Sequence, residues 1–189
     1  MKHLDFTIDF ETCSLSSDAA IMQVSVIPWL RDADVEPFLS KDDAEPFVNY
    51  VDLRSCVVEG MDFDPNTISW WSRQSDEAKR AVCGGLDEPV ADVLVGVLDF
   101  IRSMVKEHSL DSICLWAHGM DVDLAILRSL CRRFDIDLES IIPHTSFRDC
   151  RTVILEAALV EAERSMAGKS TRANGIALPH QIQADPSLA

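Results

Sequence analysis

Long apolar runs, paired cysteines and basic residues are all scarce in this 189-residue sequence. No uninterrupted stretch of about 18 apolar residues occurs, so no membrane-spanning helix is expected. The opening Met1-Lys2-His3-Leu4-Asp5 reaches an acid at once and lacks the apolar core of a secretory leader. The six cysteines, at 13, 56, 83, 114, 131 and 150, form no CxxC pair and no metal-binding rhythm. Several lie inside apolar runs, which suits reduced, buried thiols and a cytoplasmic location. Basic residues number 17 against 32 acidic ones, a formal net charge of −15. Proteins that grip long duplexes carry a basic face, so sequence-independent groove binding is not expected. Most of the acids solvate the surface. A subset can instead be gathered to hold cations, through which phosphate would be met.

What is present is an ordinary globular composition, 47% hydrophobic, with length for one domain spanning residues 1–189. No repeat or low-complexity linker interrupts it. Leu4–Asp9, Ile21–Trp29 and Pro46–Val51 read as strands, and the acidic stretch 30–45 as a loop. Pro65 opens a short helix through Trp71, and Ser75 caps another to Val82. Asp87, with Pro89 in the first turn, starts a long amphipathic helix to Glu107. A strand over Ser112–Trp116, a turn at His118-Gly119, and a helix over Val122–Phe134 follow. Phe147–Cys150 reads as an edge strand, Arg151–Met166 as a helix, and residues 167–179 as loose chain. Strands first, then alternation with helices, indicate a mixed α/β sheet.

Three acidic signals stand out. Asp9 and Glu11 lie two apart at the end of the first strand, so they project from one face. Solvated acids at a strand end would look the same. Two same-face carboxylates beside apolar chain are costly unless a cation lies between them. Asp123, in the first turn of a helix, serves equally as a dipole partner, and so would Asp121. His180 and Asp185, five apart, share nearby faces if helical, but on spacing alone the segment reads as a polar tail.

The order Asp-x-Glu, a distant Asp, then His-x-x-x-x-Asp resembles the DEDDh exonucleases, the RNase T and oligoribonuclease type of the RNase H-like superfamily. Within it, the chain resembles the small branch holding the phage-type exonuclease A and the bacterial Rv-type exoribonucleases. Asp9-Phe10-Glu11-Thr12 and Asp18-Ala19-Ala20-Ile21 match that branch's opening. Thr67-Ile68-Ser69-Trp70-Trp71-Ser72-Arg73-Gln74-Ser75-Asp76-Glu77-Ala78 looks like its double-tryptophan helix. Trp116-Ala117-His118-Gly119-Met120-Asp121-Val122-Asp123 looks like its second motif, which selects Asp123 over Asp121. Arg148-Asp149-Cys150-Arg151-Thr152 matches the segment before the long helix. His144 and Asp149 share the last motif's spacing but are set aside, because Asp149 already belongs to that segment. The superfamily's tyrosine variant is set aside too, since the only tyrosine, Tyr50, lies far upstream.

The resemblance implies an RNase H-like mixed β-sheet flanked by α-helices and a 3′–5′ exonuclease releasing nucleoside 5′-monophosphates from single-stranded RNA or DNA. It implies two Mg2+ or Mn2+ ions held by Asp9, Glu11, Asp123 and Asp185, with His180 as general base. Thr12 would meet the terminal nucleotide. Arg148 and Arg151 would hold phosphate, although ion pairs with the surplus acids suit them equally. Relatives of this type imply a homodimer. The likeness departs at one end: Pro186 follows Asp185 directly, and proline cannot continue a helix. The last motif is therefore expected to be weakly anchored, or the chain shortened. That departure keeps open a second class, a catalytically weak or inactive nucleic-acid-binding module on the same fold. For Trp70 and Trp71, about 100° apart on a helix, one is expected in the core and the other partly exposed. His118 is expected to be a turn residue and not a ligand.

Overall fold

A computed structural model describes residues 3–30, 45–108 and 112–170. Its first strand, β1 (His3–Thr12), sets the plan of the molecule. Leu4, Phe6, Ile8 and Phe10 point to one face and are all buried. Asp5, Thr7, Asp9 and Glu11 therefore line the other, since alternate side chains leave a strand on opposite sides. The strand runs three residues beyond the expected end because its partner is long. In β2 (Ile21–Trp29), antiparallel to it, Ser25 lies opposite Asp9 and Gln23 opposite Glu11. A register shift between Glu11 and Thr12 then bends the chain away. Both catalytic candidates of the first motif thus sit inside the ladder, where the backbone is held firmly.

The sheet has six strands in the order β4-β3-β2-β1-β5-β6. β3 (Phe47–Val51) pairs antiparallel with β2, whereas β5 (Ser112–Ala117) and β6 (Phe147–Asp149) extend the other edge in parallel with β1. This is the mixed sheet expected. Asp87 does not start a helix: Asp87–Glu88 form the short strand β4, parallel to β3. The cause is Pro89, whose ring pushes the residue before it into extended backbone. Pro89 becomes the cap, and helix α4 (Val90–Glu107) begins after it.

Three short helices precede α4. α1 (Leu53–Val58), which periodicity did not reveal, is capped by Asp52, and its buried Cys56 joins the core. α2 (Pro65–Ser72) is capped by Asp64 and α3 (Asp76–Cys83) by Ser75, each accepting from backbone N–H groups of the first turn. α4 buries Val90, Val93, Leu94, Val97, Leu98, Ile101 and Met104, a three-and-four spacing that makes one apolar stripe. Each such side chain contributes roughly 1.5–3 kcal/mol when fully buried. Gly96 lets β3 come close, since a Cβ there would lie 3.1 Å from the Phe47 ring. Phe100 packs between Phe6 and Phe47 at ring separations of 6.4 and 5.6 Å.

The helix expected over Val122–Phe134 is two pieces. A π-helical turn, Met120–Leu124, leads into α5 (Ala125–Arg133). π turns are rare and concentrate at functional sites. α6 (Cys150–Ser170) starts one residue earlier than expected and runs longer, its first turn capped by Asp149, which accepts the Arg151 N–H at 2.8 Å. The chain divides between Arg151 and Thr152 into two compact units, the first containing the whole sheet. No helix among the described residues is long and apolar enough to cross a membrane. All six cysteines are free; Cys13, Cys56, Cys114 and Cys131 are buried as expected, while Cys83 is exposed and Cys150 half-buried.

Candidate active site

Asp9 and Glu11 do share a face, and the fold brings Asp123 to them. Asp123 lies in the π-helical turn, 6% exposed, and its Oδ1 accepts the Phe10 N–H at 3.2 Å. That bond joins the turn to β1 between the two other acids. Asp121, two positions earlier, faces solvent. Burial therefore separates two aspartates that sequence spacing left equal.

The three carboxylates feel one another. Desolvation is the largest influence on Glu11 and raises its pKa, and repulsion from Asp9 and Asp123 adds to it. Asp9 is open to solvent, yet protein around the strand end desolvates it enough to raise its pKa, with the His118 charge partly opposing. Asp123 is pushed up to about 6, mainly by burial and further by Asp9, against the lowering effect of the Phe10 hydrogen bond. Partly desolvated acids that repel one another form a hard, all-oxygen donor set, the chemistry that suits Mg2+ or Mn2+. The residues therefore fit a divalent ion in kind. Among the described residues no group of three or more His, Cys, Asp or Glu side chains is placed to hold a metal ion. His180 and Asp185 lie outside the described residues.

A raised carboxylate pKa stabilises the folded chain at low pH and loses that contribution as pH rises through it. For Asp123 the window runs from the ordinary value of 3.8 to about 6. In chelator, Asp123→Asn should gain stability relative to the parent between about pH 4.5 and 7.5, on the order of 2–3 kcal/mol. Asparagine keeps the acceptor for Phe10 while removing the charge. Paired denaturation curves at the two pH values measure this, and a parent-to-variant difference that does not change with pH would contradict it.

The other expected residues are placed as follows. Thr12 is buried, and its hydroxyl donates to the Ser14 carbonyl at 2.6 Å. The Thr12 carbonyl accepts from Trp71 Nε1 at 2.9 Å, so the double-tryptophan helix is tied to the end of β1. Trp71 packs against the core while Trp70 is 49% exposed, the division expected for the pair. Arg148 donates to the Thr145 and Phe147 carbonyls at 2.6 and 2.8 Å. Arg151 is exposed, and its guanidinium lies 3.6 Å from where a Cβ on Gly119 would stand. His144 forms an exposed pair with Glu139 at 3.9 Å. His118 is a bend residue, as expected, yet it bears electrostatically on both Asp9 and Asp123. Sequence reading missed that proximity. The available signal was its two-residue spacing from Trp116, which puts both on the face that carries Asp9.

Comparison with known proteins places the chain in a family. Residues 4–180 match the family described as the 3′-5′ exoribonuclease Rv2179c-like domain. A protein named exodeoxyribonuclease, from Enterobacteria phage T4, is 30% identical over 130 residues, 68% of this chain and 56% of its own. This chain thus matches little more than half the length of that relative. Among solved structures, the nuclease domain of 3′hExo, a DEDDh family member bound to rAMP, aligns at a TM-score of 0.42 and 15% identity, over 72% of this chain and 62% of that one.

Proposed function

The chain belongs to the Rv2179c-like 3′-5′ exoribonuclease domain family, and from that premise we propose that it is a metal-dependent 3′–5′ exonuclease. It removes nucleoside 5′-monophosphates from single-stranded RNA or DNA ends, acting as a single exonuclease domain. The observation that carries this reading is the convergence of Asp9, Glu11 and Asp123, mutually repelling acids at the carboxyl end of a sheet strand. A homodimer in the cytoplasm completes the proposal.

In this reading Asp9, Glu11, Asp123 and Asp185 hold two divalent ions. Bound there, the ions supply an activated water and relieve charge on the leaving oxygen. The chain's own groups do the rest. Asp9, at the exposed mouth, is the acid that substrate meets first. Asp123, held by the Phe10 N–H, is fixed in place, as a preorganised site requires. His180 takes a proton from the attacking water, a task that imidazole's near-neutral pKa permits. Trp71 holds the strand end through the Thr12 carbonyl, so the backbone that follows Glu11 is rigid where a terminal sugar would lie. Arg151, exposed beside Gly119, is free to reach phosphate. The net charge of −15 disfavours long duplex and favours short, flexible strands with few phosphates to desolvate.

The test uses matched RNA and DNA single strands labelled at the 5′ end, with Mg2+ and then Mn2+. Products shortening in single-nucleotide steps are expected, with blunt duplex much slower because its end must first unpair. Labelled strands that stay full-length with either ion would refute the proposal.

A further inference from the structure

The sheet register puts one more polar side chain beside the carboxylates. β1 and β5 run parallel, with Asp5 level with Cys114 and Thr7 level with Trp116. Two residues beyond the last of these pairs and just past the end of β5, His118 lies near enough to Asp9 and Asp123 for its charge to act on both. On the far side of β1, Ser25 lies opposite Asp9. β1, β5 and β6 are mutually parallel, so their carboxyl ends open at one edge of the sheet, where open α/β folds take their ligands. His118 is the first residue past the end of β5, and it is exposed. Its ring makes no hydrogen bond to another described residue.

The neighbouring side chain strengthens the point. Arg151, entering α6 from the end of β6, reaches the His118-Gly119 bend, within 3.6 Å of a Cβ position on Gly119. Two side chains with N–H donors therefore stand on the β5–β6 side of the carboxylates. With cations held by the acids, these donors would add contacts to the phosphate from the β5–β6 side.

Resting on the exonuclease reading, we propose that His118 is a substrate-contact residue: its ring N–H donates to a non-bridging oxygen of the phosphate nearest the 3′ end, beside Arg151. The contact needs one ring N–H, which neutral imidazole already carries. It therefore acts in either protonation state.

The experiment measures equilibrium binding of adenosine 5′-monophosphate, the product-like phosphate, to the full chain with Ca2+ present. A hydrogen bond to a charged group contributes about 1.5–3 kcal/mol, so His118→Ala should weaken binding roughly 10- to 100-fold. His118→Gln, whose amide also presents an N–H, should stay within about fivefold of the parent. The upward shift in melting temperature caused by Mn2+ should be the same in all three proteins. Parent-like binding by His118→Ala would overturn the assignment. So would a glutamine variant as weak as alanine, a lost Mn2+ shift, or a parent that shortens oligomers yet binds no mononucleotide. Failure of the exonuclease reading would show separately, as a parent chain that leaves labelled oligomers intact.

Discussion

Asp9→Ala and Glu11→Ala should each lower kcat/KM for nucleotide release by at least about a thousandfold, on the order of 4 kcal/mol in the transition state. Folding should survive the change. Both side chains leave the apolar core and face the other side of β1, so removing them opens no cavity. Each also carries a pKa raised by desolvation, which means its charged form is held in the metal-free protein at a cost. Melting in chelator should therefore stay level or rise while activity disappears. The paired measurement is a progress curve with Mg2+ and a thermal scan with chelator, on the same preparation. A variant that unfolds, or one that keeps near-normal turnover, would dissolve the link between these acids and the chemistry.

Divalent ions should stabilise the parent chain strongly. A ligand that binds only the folded state adds RT ln(1 + [L]/Kd), about 2.7 kcal/mol at a hundredfold excess over Kd. For a chain of this size that is a rise in melting temperature of roughly 5–10 °C. Mn2+ or Mg2+ at millimolar concentration should produce it, and Asp9→Ala should abolish it, because Asp9 is one of the proposed ligands. Ca2+ should stabilise without supporting turnover, since its coordination is looser and its ligand distances longer. A parent that melts at the same temperature with and without millimolar Mn2+ would contradict metal binding at these acids.

Legibility in the sequence followed how local each determinant is. The alternation of Leu4, Phe6, Ile8 and Phe10 with Asp5, Thr7, Asp9 and Glu11 is a period-two signal, and it put both acids on one face without knowledge of any partner strand. The apolar stripe of α4 was equally local. β4 was misread because the sequence cue at Pro89 fits two positions, N1 of a helix or the residue before it. The parallel pairing with Tyr50 and Val51 decides between them. α1 escaped because six residues are too few for periodicity, and only its Asp52 cap marked it. The selection of Asp123 over Asp121 rested on resemblance. Its physical basis, burial and the Phe10 N–H 113 positions away in sequence, exists only once the sheet has formed. The same holds for His118 beside Asp9, which depends on the register of β5 against β1, and for the Trp71 bond to Thr12. His180 and Asp185 were drawn from resemblance and lie outside the described residues.

One measurement separates a 3′-end exonuclease from every other phosphodiesterase on this fold. A single-stranded oligonucleotide is supplied in three forms with Mg2+: linear with a free 3′ hydroxyl, linear with a 3′ phosphate, and covalently closed into a circle. Products are identified by mass. The linear hydroxyl strand should yield nucleoside 5′-monophosphates one at a time, the 3′-phosphorylated strand should be blocked, and the circle should remain whole. Cleavage of the circle at a rate equal to the linear strand would mean an endonuclease, and would end the exonuclease reading of Asp9, Glu11 and Asp123.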